Sequence, residues 1–183
     1  MKIAVVTDST SYLSTEEVER YHIHVVPIPV VIDGRSYNEG VDITLDEFWE
    51  KLRNSKSFPS TSQPPMGEMI QLYQQLGDEG YDTIISIHLA STISGFVNSL
   101  RDVNSQLTNT KVIVYDSQIT VKLMGYLAIE AARMADKAPM QIKLLPGWMT
   151  FGPPLTKSSS WMISNTLFAV VGCQMRLRLL AAF

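Results

Sequence analysis

The sequence predicts an α/β fold in which a parallel sheet carries helices on both faces. Residues 3–6, 83–87 and 111–115 form short, mostly apolar runs, as expected for strands that are buried on both sides. Segments with helical spacing separate these runs, and this alternation is typical of a parallel sheet covered by helices. Ligands of such sheets bind beside the carboxyl ends of the strands, so we expect the functional residues in the loops that follow these runs.

The first half of the chain adds two helices and an extended segment. Ser14 and Thr44 are each followed three residues later by a glutamate, and this capping-box pattern predicts that helices begin there. Residues 24–32 are rich in β-branched side chains and contain two prolines, which suits an edge strand. Asp33-Gly34 is a turn signal that predicts a small hairpin with the residues that follow.

The second half completes the alternation of strands and helices. A loop rich in serine and proline spans residues 55–65, and residues 66–76 then keep helical spacing up to a glycine. Residues 95–104 and 120–137 follow the second and third apolar runs, and we expect both segments to be helical. One α/β domain is therefore predicted over residues 1–137.

The overall composition is that of a globular protein. Of the 183 residues, 45% are hydrophobic and 18% are charged, which excludes the disordered and fibrous classes. A net charge of −3 without a basic cluster indicates no nucleic-acid partner. The first apolar run is too short for a signal peptide, no run reaches the ~18 residues of a membrane span, and the single Cys173 agrees with a reducing compartment. We expect a cytoplasmic protein without a transmembrane segment.

The distribution of charge divides the chain near residue 137. All 18 acidic residues lie in residues 1–137, together with 11 lysines and arginines, so this part has a net charge of −7. Residues 138–183 contain no acidic residue and four basic ones, and they are rich in methionine and tryptophan, which have single codons. This composition is typical of out-of-frame translation. A genuine basic tail is the alternative.

Polar residues gather at the three predicted strand ends. Thr7-Asp8-Ser9-Thr10 follows the first run, residues 91–95 follow the second, and Asp116-Ser117 follows the third, while the loop at residues 60–64 adds a fourth group. Hydroxyl groups and free backbone N–H groups at a helix start can hold a phosphate or carboxylate without lysine or arginine. Capping and turn formation are the alternative role of each group, and only their coincidence favours an anion site.

The same segments resemble the DegV family in order and spacing. The resemblance rests on Val6-Thr7-Asp8-Ser9-Thr10-Ser11, Thr61-Ser62-Gln63-Pro64-Pro65, Ile93-Ser94-Gly95 with Asn98-Ser99, Val114-Tyr115-Asp116-Ser117, Gly125-Tyr126 and Glu130-Ala131-Ala132-Arg133. It covers about residues 1–137. DegV-like proteins are bacterial, have two α/β domains and bind one long-chain fatty acid, whose carboxylate many of them present to a separate fatty acid kinase. The resemblance implies a lipid-binding subunit without a cofactor rather than an enzyme.

The resemblance also implies the site residues. It places the contacts to the fatty acid carboxylate on Thr61, Ser62, Ser94 and Gly95, and it assigns no residue to catalysis or to a metal. The residues expected to support these contacts are Asp8, Ser9, Asn98, Asp116 and Ser117. One departure is the segment Thr120-Val121-Lys122, where smaller or hydroxyl-bearing residues are expected, and a surface position for Lys122 would account for it.

The second domain of the family is not recognisable in the sequence as written. Its expected segment resembles V-D-D-L-Q-x-L-x-R-G-G-R-L-S-N-A, and a shifted reading frame contains it. When the third base of each codon is joined to the first two of the next, Trp161-Met162-Ile163 must encode two aspartates. Permitted codon choices then give Leu-Gln-Tyr-Leu-Val-Arg-Gly-Gly-Arg-Leu-Ser-Asn-Ala. We expect residues 138–183 to be an irregular or poorly packed out-of-frame tail, and fatty acid binding to be impaired.

Two other functions remain open from the residues. Asp8 after a buried strand is typical of an aspartyl-phosphate phosphatase, and Ser94 is a candidate nucleophile of a hydrolase, although neither has its usual companion residues nearby in the sequence. The other alternative is a partner-binding fragment without a ligand. His22-x-His24 also suggests a metal site, for which a surface or capping role is the alternative.

Overall fold

The computed structural model describes residues 2–136, 141–145 and 148–152, and the chain divides into two units, Met1–Lys137 and Ala138–Phe183. The strands are β1 Ile3–Asp8, β2 Ile23–Val26, β3 Pro29–Ile32, β4 Arg35–Asn38, β5 Ser60–Thr61, β6 Thr83–His88, β7 Lys111–Asp116, β8 Gln141–Leu145 and β9 Trp148–Gly152. The helices are α1 Thr15–Tyr21, α2 Leu45–Asn54, α3 Met66–Asp78, α4 Phe96–Ser99 and α5 Val121–Ala135, with 3-10 turns at Ser9–Ser11 and Val103–Gln106.

A four-stranded parallel sheet forms the centre of the first unit. Its strands lie in the order β2-β1-β6-β7. The crossovers from β1 to β2 and from β6 to β7 run in opposite directions, so right-handed connections place α1 and α4 on opposite faces. Helix α5 packs against α1 and β1, whereas Phe96 of α4 packs on His88 with ring centroids 4.6 Å apart. The predicted α/β fold, with a parallel sheet and helices on both faces, is confirmed.

The predicted local signals for two helices and a hairpin are also confirmed. Ser14 Oγ accepts from the N–H of Glu17 at 3.2 Å, and the Glu17 carboxylate accepts from the N–H of Ser14 at 2.8 Å. Thr44 and Glu47 form the same reciprocal pair, at 3.3 and 2.8 Å. Asp33-Gly34 has positive φ at both residues, 48° and 80°, and joins β3 to β4 in an antiparallel hairpin.

The prediction of one edge strand over residues 24–32 is wrong. Strand β2 is an edge of the parallel sheet, but β3 is the central strand of a separate antiparallel sheet with the order β4-β3-β5. The two strands separate at Pro27 and Ile28, because a proline has no N–H to donate and the N–H of Ile28 donates to Ser9 Oγ at 3.0 Å. The chain therefore leaves the parallel sheet within the segment that the β-branched pattern joins.

Two further boundaries differ from the sequence prediction. The loop predicted over residues 55–65 contains the short strand β5, which pairs with Val30 and Val31 of β3. The helix predicted over residues 95–104 ends at Ser99. The side-chain amide of Asn104 bonds to both the N–H and the C=O of Val112 in β7, each at 2.7 Å. These two bonds hold the 3-10 turn at Val103–Gln106 against β7, where the sequence predicts a continuing helix.

The core lies around β6, all six residues of which are buried. Helix α3 buries Met69, Tyr73 and Leu76. Helix α5 comes so close to the Ser9–Ser11 turn that a Cβ on Gly125 would lie 2.5 Å from the carbonyl oxygen of Ser11, so no other residue fits there without a shift of the backbone. Among the described residues, no helix is long and apolar enough to cross a membrane.

Strands β8 and β9 belong to the second unit and form an antiparallel hairpin, in which Gln141 lies opposite Gly152 and Leu145 opposite Trp148. The other residues of the tail, 138–140, 146–147 and 153–183, lie outside the described residues. Its out-of-frame origin and its expected irregular packing therefore stay predictions.

Candidate functional site

Three polar residues mark the carboxyl edge of the parallel sheet. Asp8, His88 and Asp116 are the last residues of β1, β6 and β7, and His88 lies directly opposite Asp116 in the register. Asp8 and His88 are fully buried, whereas Asp116 is half-buried. The loops after these strands therefore begin next to one another, as the sequence predicts for a ligand site.

Asp8 organises two of these loops. Its Oδ1 accepts from the N–H and the hydroxyl of Thr10, at 3.1 and 2.5 Å, and its Oδ2 accepts from the N–H of Leu89 at 3.2 Å and lies 2.9 Å from His88 Nδ1. A buried carboxylate is tolerated only when its oxygens are paired in this way. Asp8 thus ties the first residues after β1 to the first residues after β6.

His88 continues the buried contacts of Asp8 into the core. Its Nε2 lies 2.7 Å from Ser86 Oγ, which in turn lies 2.7 Å from the hydroxyl of Tyr73 on α3. All four side chains are fully buried. Burial also raises the pKa of Tyr73, although the hydrogen bond to Ser86 lowers it in part. Asp8, His88, Ser86 and Tyr73, here called the buried chain, connect the strand ends to α3.

Asp116 holds the other end of the loop after β6. Its carboxylate accepts from the hydroxyl of Ser91 at 2.5 Å and from the N–H groups of Ser91 and Gln118 at 3.1 and 3.0 Å. Partial burial raises the pKa of Asp116, but the hydrogen bonds from Ser91 and Gln118 outweigh burial and hold the pKa below its ordinary value. Ser117 is buried and bonds to the backbone of Ile119, so it shapes the next loop, and its support of the carboxylate contacts stays a prediction.

Gln63 brings the two predicted carboxylate loops together. Its Oε1 accepts from Ser99 Oγ at 2.8 Å. Its Nε2 lies so close to Gly95 that a Cβ added to this glycine would be only 2.8 Å from it. Because Gln63 directly follows Thr61 and Ser62, the loop that carries these exposed hydroxyls lies beside the start of α4. The structure therefore places Thr61-Ser62 near Gly95, although their binding of a carboxylate stays a prediction.

The remaining predicted residues have different surroundings. Ser94 is half-buried, and its Oγ accepts from the N–H of Phe96, two residues later at the start of α4, at 3.2 Å. Ser9 Oγ donates to Glu39 at 2.6 Å and accepts from Ile28, so it connects the parallel sheet to the antiparallel one. Asn98 is exposed on α4.

The departure at residues 120–122 has a structural counterpart. Val121 has a φ of 62°, a left-handed conformation that β-branched residues rarely adopt, so a smaller residue suits this position. Lys122 is not a free surface residue, because its Nζ pairs with Glu17 of α1 and donates to the carbonyl of Tyr12 at 3.3 Å. The hydrogen bond from Lys122, followed by that from the N–H of Ser14, lowers the pKa of Glu17.

The contacts do not favour a hydrolase or phosphatase. Asp8, His88 and Ser86 have the residue types of a hydrolase triad, but they are fully buried, and Ser86 Oγ also contacts the Tyr73 hydroxyl, which leaves no open face for a substrate. Both ring nitrogens of His88 have partners, so His88 is not available as a base for Ser94. Within residues 2–136 and the two tail strands, no three His, Cys, Asp or Glu side chains are placed to hold a metal ion.

Sequence reasoning missed the contributions of His88, Tyr73, Ser86, Gln63 and Glu39. A histidine at the end of a mostly apolar strand was the only available signal for His88, because such a buried ring needs polar partners. The partner Asp8 lies 80 residues away in the sequence, and no local pattern pairs the two. Gln63 stood inside a family segment, but its partners Gly95 and Ser99 were identified only by the structure.

Known relatives share this domain. The model of the family described as "Uncharacterised protein, DegV family" matches residues 2–139. A DegV domain-containing protein of Listeria innocua is 45% identical over 134 residues, which cover 73% of this chain and 47% of that protein. The protein DegV of Bacillus subtilis is 41% identical over 134 residues, with the same two coverages, 73% and 47%.

Solved structures give the same relationship. The crystal structure of DegV, a fatty acid binding protein from Bacillus subtilis, matches with a TM-score of 0.71 and 40% identity over 76% of this chain and 50% of that chain. A stearic-acid-binding protein from Eubacterium ventriosum matches with a TM-score of 0.67 and 27% identity over 74% of this chain and 48% of that chain. The chain spans about half the length of the relatives that it matches. Through its residues 2–139, the chain belongs to the DegV family.

Proposed function

We propose that this chain carries the carboxylate-binding half of a protein that holds one long-chain fatty acid. Thr61, Ser62 and Ser94 supply hydroxyl donors for the carboxylate and Gly95 supplies its N–H, because the N–H groups of Ser62 and Ser94 already donate to Pro29 and Ala90. The observation that carries this proposal is the contact of Gln63 with Gly95 and Ser99, which sets the two donor loops side by side at the carboxyl edge of the sheet. The fatty acid bound by the solved relatives of Bacillus subtilis and Eubacterium ventriosum supports the choice of ligand.

The two aspartates at the strand ends accept hydrogen bonds from residues other than the four proposed contact residues. Asp8 and Asp116 are already held by hydrogen bonds from the loops themselves, so they order these loops and leave other donors free. The four proposed contact residues carry no charge. Neutral donors can orient a carboxylate while leaving one oxygen accessible to a phosphoryl donor, and we propose that a separate kinase is the partner that uses it.

Residues 138–183 complete the proposal. We propose that they arise from a shifted reading frame and stand where relatives have their second domain, which supplies the rest of the acyl tunnel. The end of the family match at residue 139 supports this view. Burial stabilises an alkyl chain by about 0.8 kcal/mol per CH₂, so a tunnel that lacks one wall holds its ligand weakly.

Palmitate titration by calorimetry tests the carboxylate contacts. The comparison uses a version with the frame restored after Lys137, together with its Thr61→Val, Ser62→Ala and Ser94→Ala variants. A hydrogen bond to a charged group contributes ~1.5–3 kcal/mol, so each variant is expected to bind roughly 10- to 100-fold more weakly. Ser36→Ala, at an exposed serine on β4, is the control and is expected to bind normally. Unchanged affinity in all three variants would contradict the assigned site.

The kinase partner is tested separately. The frame-restored protein, loaded with palmitate, is incubated with a bacterial fatty acid kinase and ATP, and acyl phosphate is trapped with hydroxylamine. We expect acyl hydroxamate from the wild type and little from the Ser62→Ala variant at equal palmitate loading. Tight palmitate binding without any acyl hydroxamate would contradict the partner while leaving the fatty acid site intact.

A further inference from the structure

The buried chain has a direction that its donors and acceptors determine. The Asp8 carboxylate accepts hydrogen bonds from Thr10 and from the N–H of Leu89. Asp8 is therefore the hydrogen-bond acceptor at one end of the buried chain. Tyr73 is fully buried at the other end, where burial raises its pKa, so its hydroxyl keeps a proton that needs an acceptor, and Ser86 Oγ at 2.7 Å is the acceptor beside it. Ser86 then donates to His88 Nε2, and His88 Nδ1–H donates to Asp8.

Only one protonation state of His88 satisfies every member of the buried chain. The neutral ring with its proton on Nδ1 accepts from Ser86 and donates to Asp8. A doubly protonated ring would donate to Ser86, so the ring, Ser86 and Tyr73 would have three protons for the two contacts between them. Either the Ser86 or the Tyr73 proton would then lose its acceptor in a fully buried position, and an unsatisfied buried donor is costly. The same loss follows if the single proton moves to Nε2, which also deprives Asp8 of one donor.

We infer that the buried chain is a positioning network that keeps His88 in the Nδ1–H form and, through Asp8, holds residues 89–95 in the conformation that presents Ser94 and Gly95. The N–H of Leu89 donates to the same Asp8 oxygen, Oδ2, as His88 Nδ1–H. Rotation of this carboxylate would release both contacts together. Further along this segment, Ser91 donates to Asp116 and Gly95 lies beside Gln63. We expect both contacts to depend on the position of Leu89, where the segment begins.

A matched pair of amide variants separates positioning from simple core filling. In His88→Asn the amide nitrogen takes the place of Nδ1 and keeps a donor to Asp8, whereas in His88→Gln the amide reaches the place of Nε2 and leaves Asp8 without that donor. Both replacements are neutral, polar and smaller than the ring, and both lose its packing on Phe96. A role in core filling alone therefore predicts similar effects, whereas positioning predicts rescue by asparagine.

The test uses the full chain and readouts that need no ligand. Nitrogen-15 NMR of the imidazole is expected to show a protonated Nδ1 and an unprotonated Nε2 at neutral pH. Amide hydrogen exchange at Leu89 is expected to be at least about tenfold faster in His88→Gln than in the wild type, and within about twofold of the wild type in His88→Asn. A charged or Nε2–H ring, or equal exchange rates in the two variants, would overturn the inference.

The consequence for the ligand rests on the proposed function and is measured separately. In the frame-restored protein, palmitate affinity is expected to follow the Leu89 exchange rates, with a loss of about tenfold in His88→Gln and little loss in His88→Asn. If the wild type binds no palmitate while the NMR and exchange results hold, the proposed function fails and the positioning network stands. If palmitate binds normally to both variants, the link between the network and the site is wrong.

Discussion

At the scale of single residues, the acidic side chains at the strand ends order loops. Asp8 and Asp116 each accept hydrogen bonds from the loop after β6, and Asp8 does so from a fully buried position. The hydroxyls of Thr61 and Ser62 are instead exposed beside α4. The site thus separates residues that hold its shape from residues that face solvent, and each class predicts a different result of mutation.

Asp8→Asn is expected to destabilise the domain strongly. The side-chain NH₂ of the asparagine would lie against either the N–H of Thr10 or that of Leu89. Two hydrogen-bond donors would then face each other in the core without an acceptor. We expect the free energy of unfolding in urea to fall by about 2–4 kcal/mol. Asp33→Asn is the matched control, because Asp33 accepts from Lys56 and Ser57 at the surface, and its loss should be clearly smaller. Equal losses would show that burial does not set the effect.

Gly95→Ala and Gln63→Ala are expected to be coupled. The added Cβ at position 95 would come within 2.8 Å of Gln63 Nε2, and this flexible side chain must move away from its bond with Ser99. Position 95 has a φ of −69°, so alanine causes no backbone strain there. A double-mutant cycle on urea unfolding should give a coupling energy of about 0.5–1 kcal/mol. Strict additivity would mean that the two residues do not contact each other.

The bond between Ser91 and Asp116 is expected to lose its contribution in acid. Because the pKa of Asp116 is lowered in the folded state, its stabilisation is complete above the unfolded pKa of about 4 and declines as the pH falls through the lower folded value. The stability difference between the wild type and Asp116→Asn should therefore be largest at neutral pH and shrink below about pH 4. Urea unfolding across this range measures it. A difference that grows in acid would contradict the lowered pKa.

At the scale of elements, local chemistry was predictable and long-range pairing was not. Both capping boxes and the Asp33-Gly34 hairpin follow from residues within a few positions of one another, and all appear as predicted. Strand β5 forms only because Ser60 and Thr61 reach β3, about thirty residues earlier in the chain. Such pairing depends on how the whole chain folds. The pattern of apolar and polar residues in 55–65 does not predict it.

Helix α5 begins with a strained residue, and glycine there is expected to relieve the strain. Val121 has a φ of 62°, and a left-handed conformation costs an L-residue about 1–2 kcal/mol. We expect Val121→Gly to raise the free energy of unfolding by about 1 kcal/mol, after the greater freedom of glycine in the unfolded chain is subtracted. Val121→Ala keeps a Cβ and should gain less. A loss of stability in Val121→Gly would show that the valine side chain matters more than its backbone.

At the scale of the whole molecule, the family match over residues 2–139 and the fold of residues 2–136 follow from the order of short segments, none of which is specific alone. The candidate site was predictable in part, because the ends of strands and the clusters of serine and threonine beside them can be identified from neighbouring residues in the sequence. The buried chain was not, because its members Asp8, Tyr73 and His88 come from three distant parts of the sequence. Residues 138–183 differ from the rest of the chain in charge and codon pattern, and we propose that a shifted reading frame produced them.

One titration tests the central claim, that residues 1–137 supply the carboxylate contacts and need a second domain to hold the acyl chain. Palmitate is titrated by calorimetry into this chain and into the version whose frame is restored after Lys137. Loss of contact with only two or three CH₂ groups removes about 2 kcal/mol, so the restored version should bind at least roughly 30-fold more tightly. Equal, tight binding by both proteins would show that the second domain is dispensable and would contradict the account.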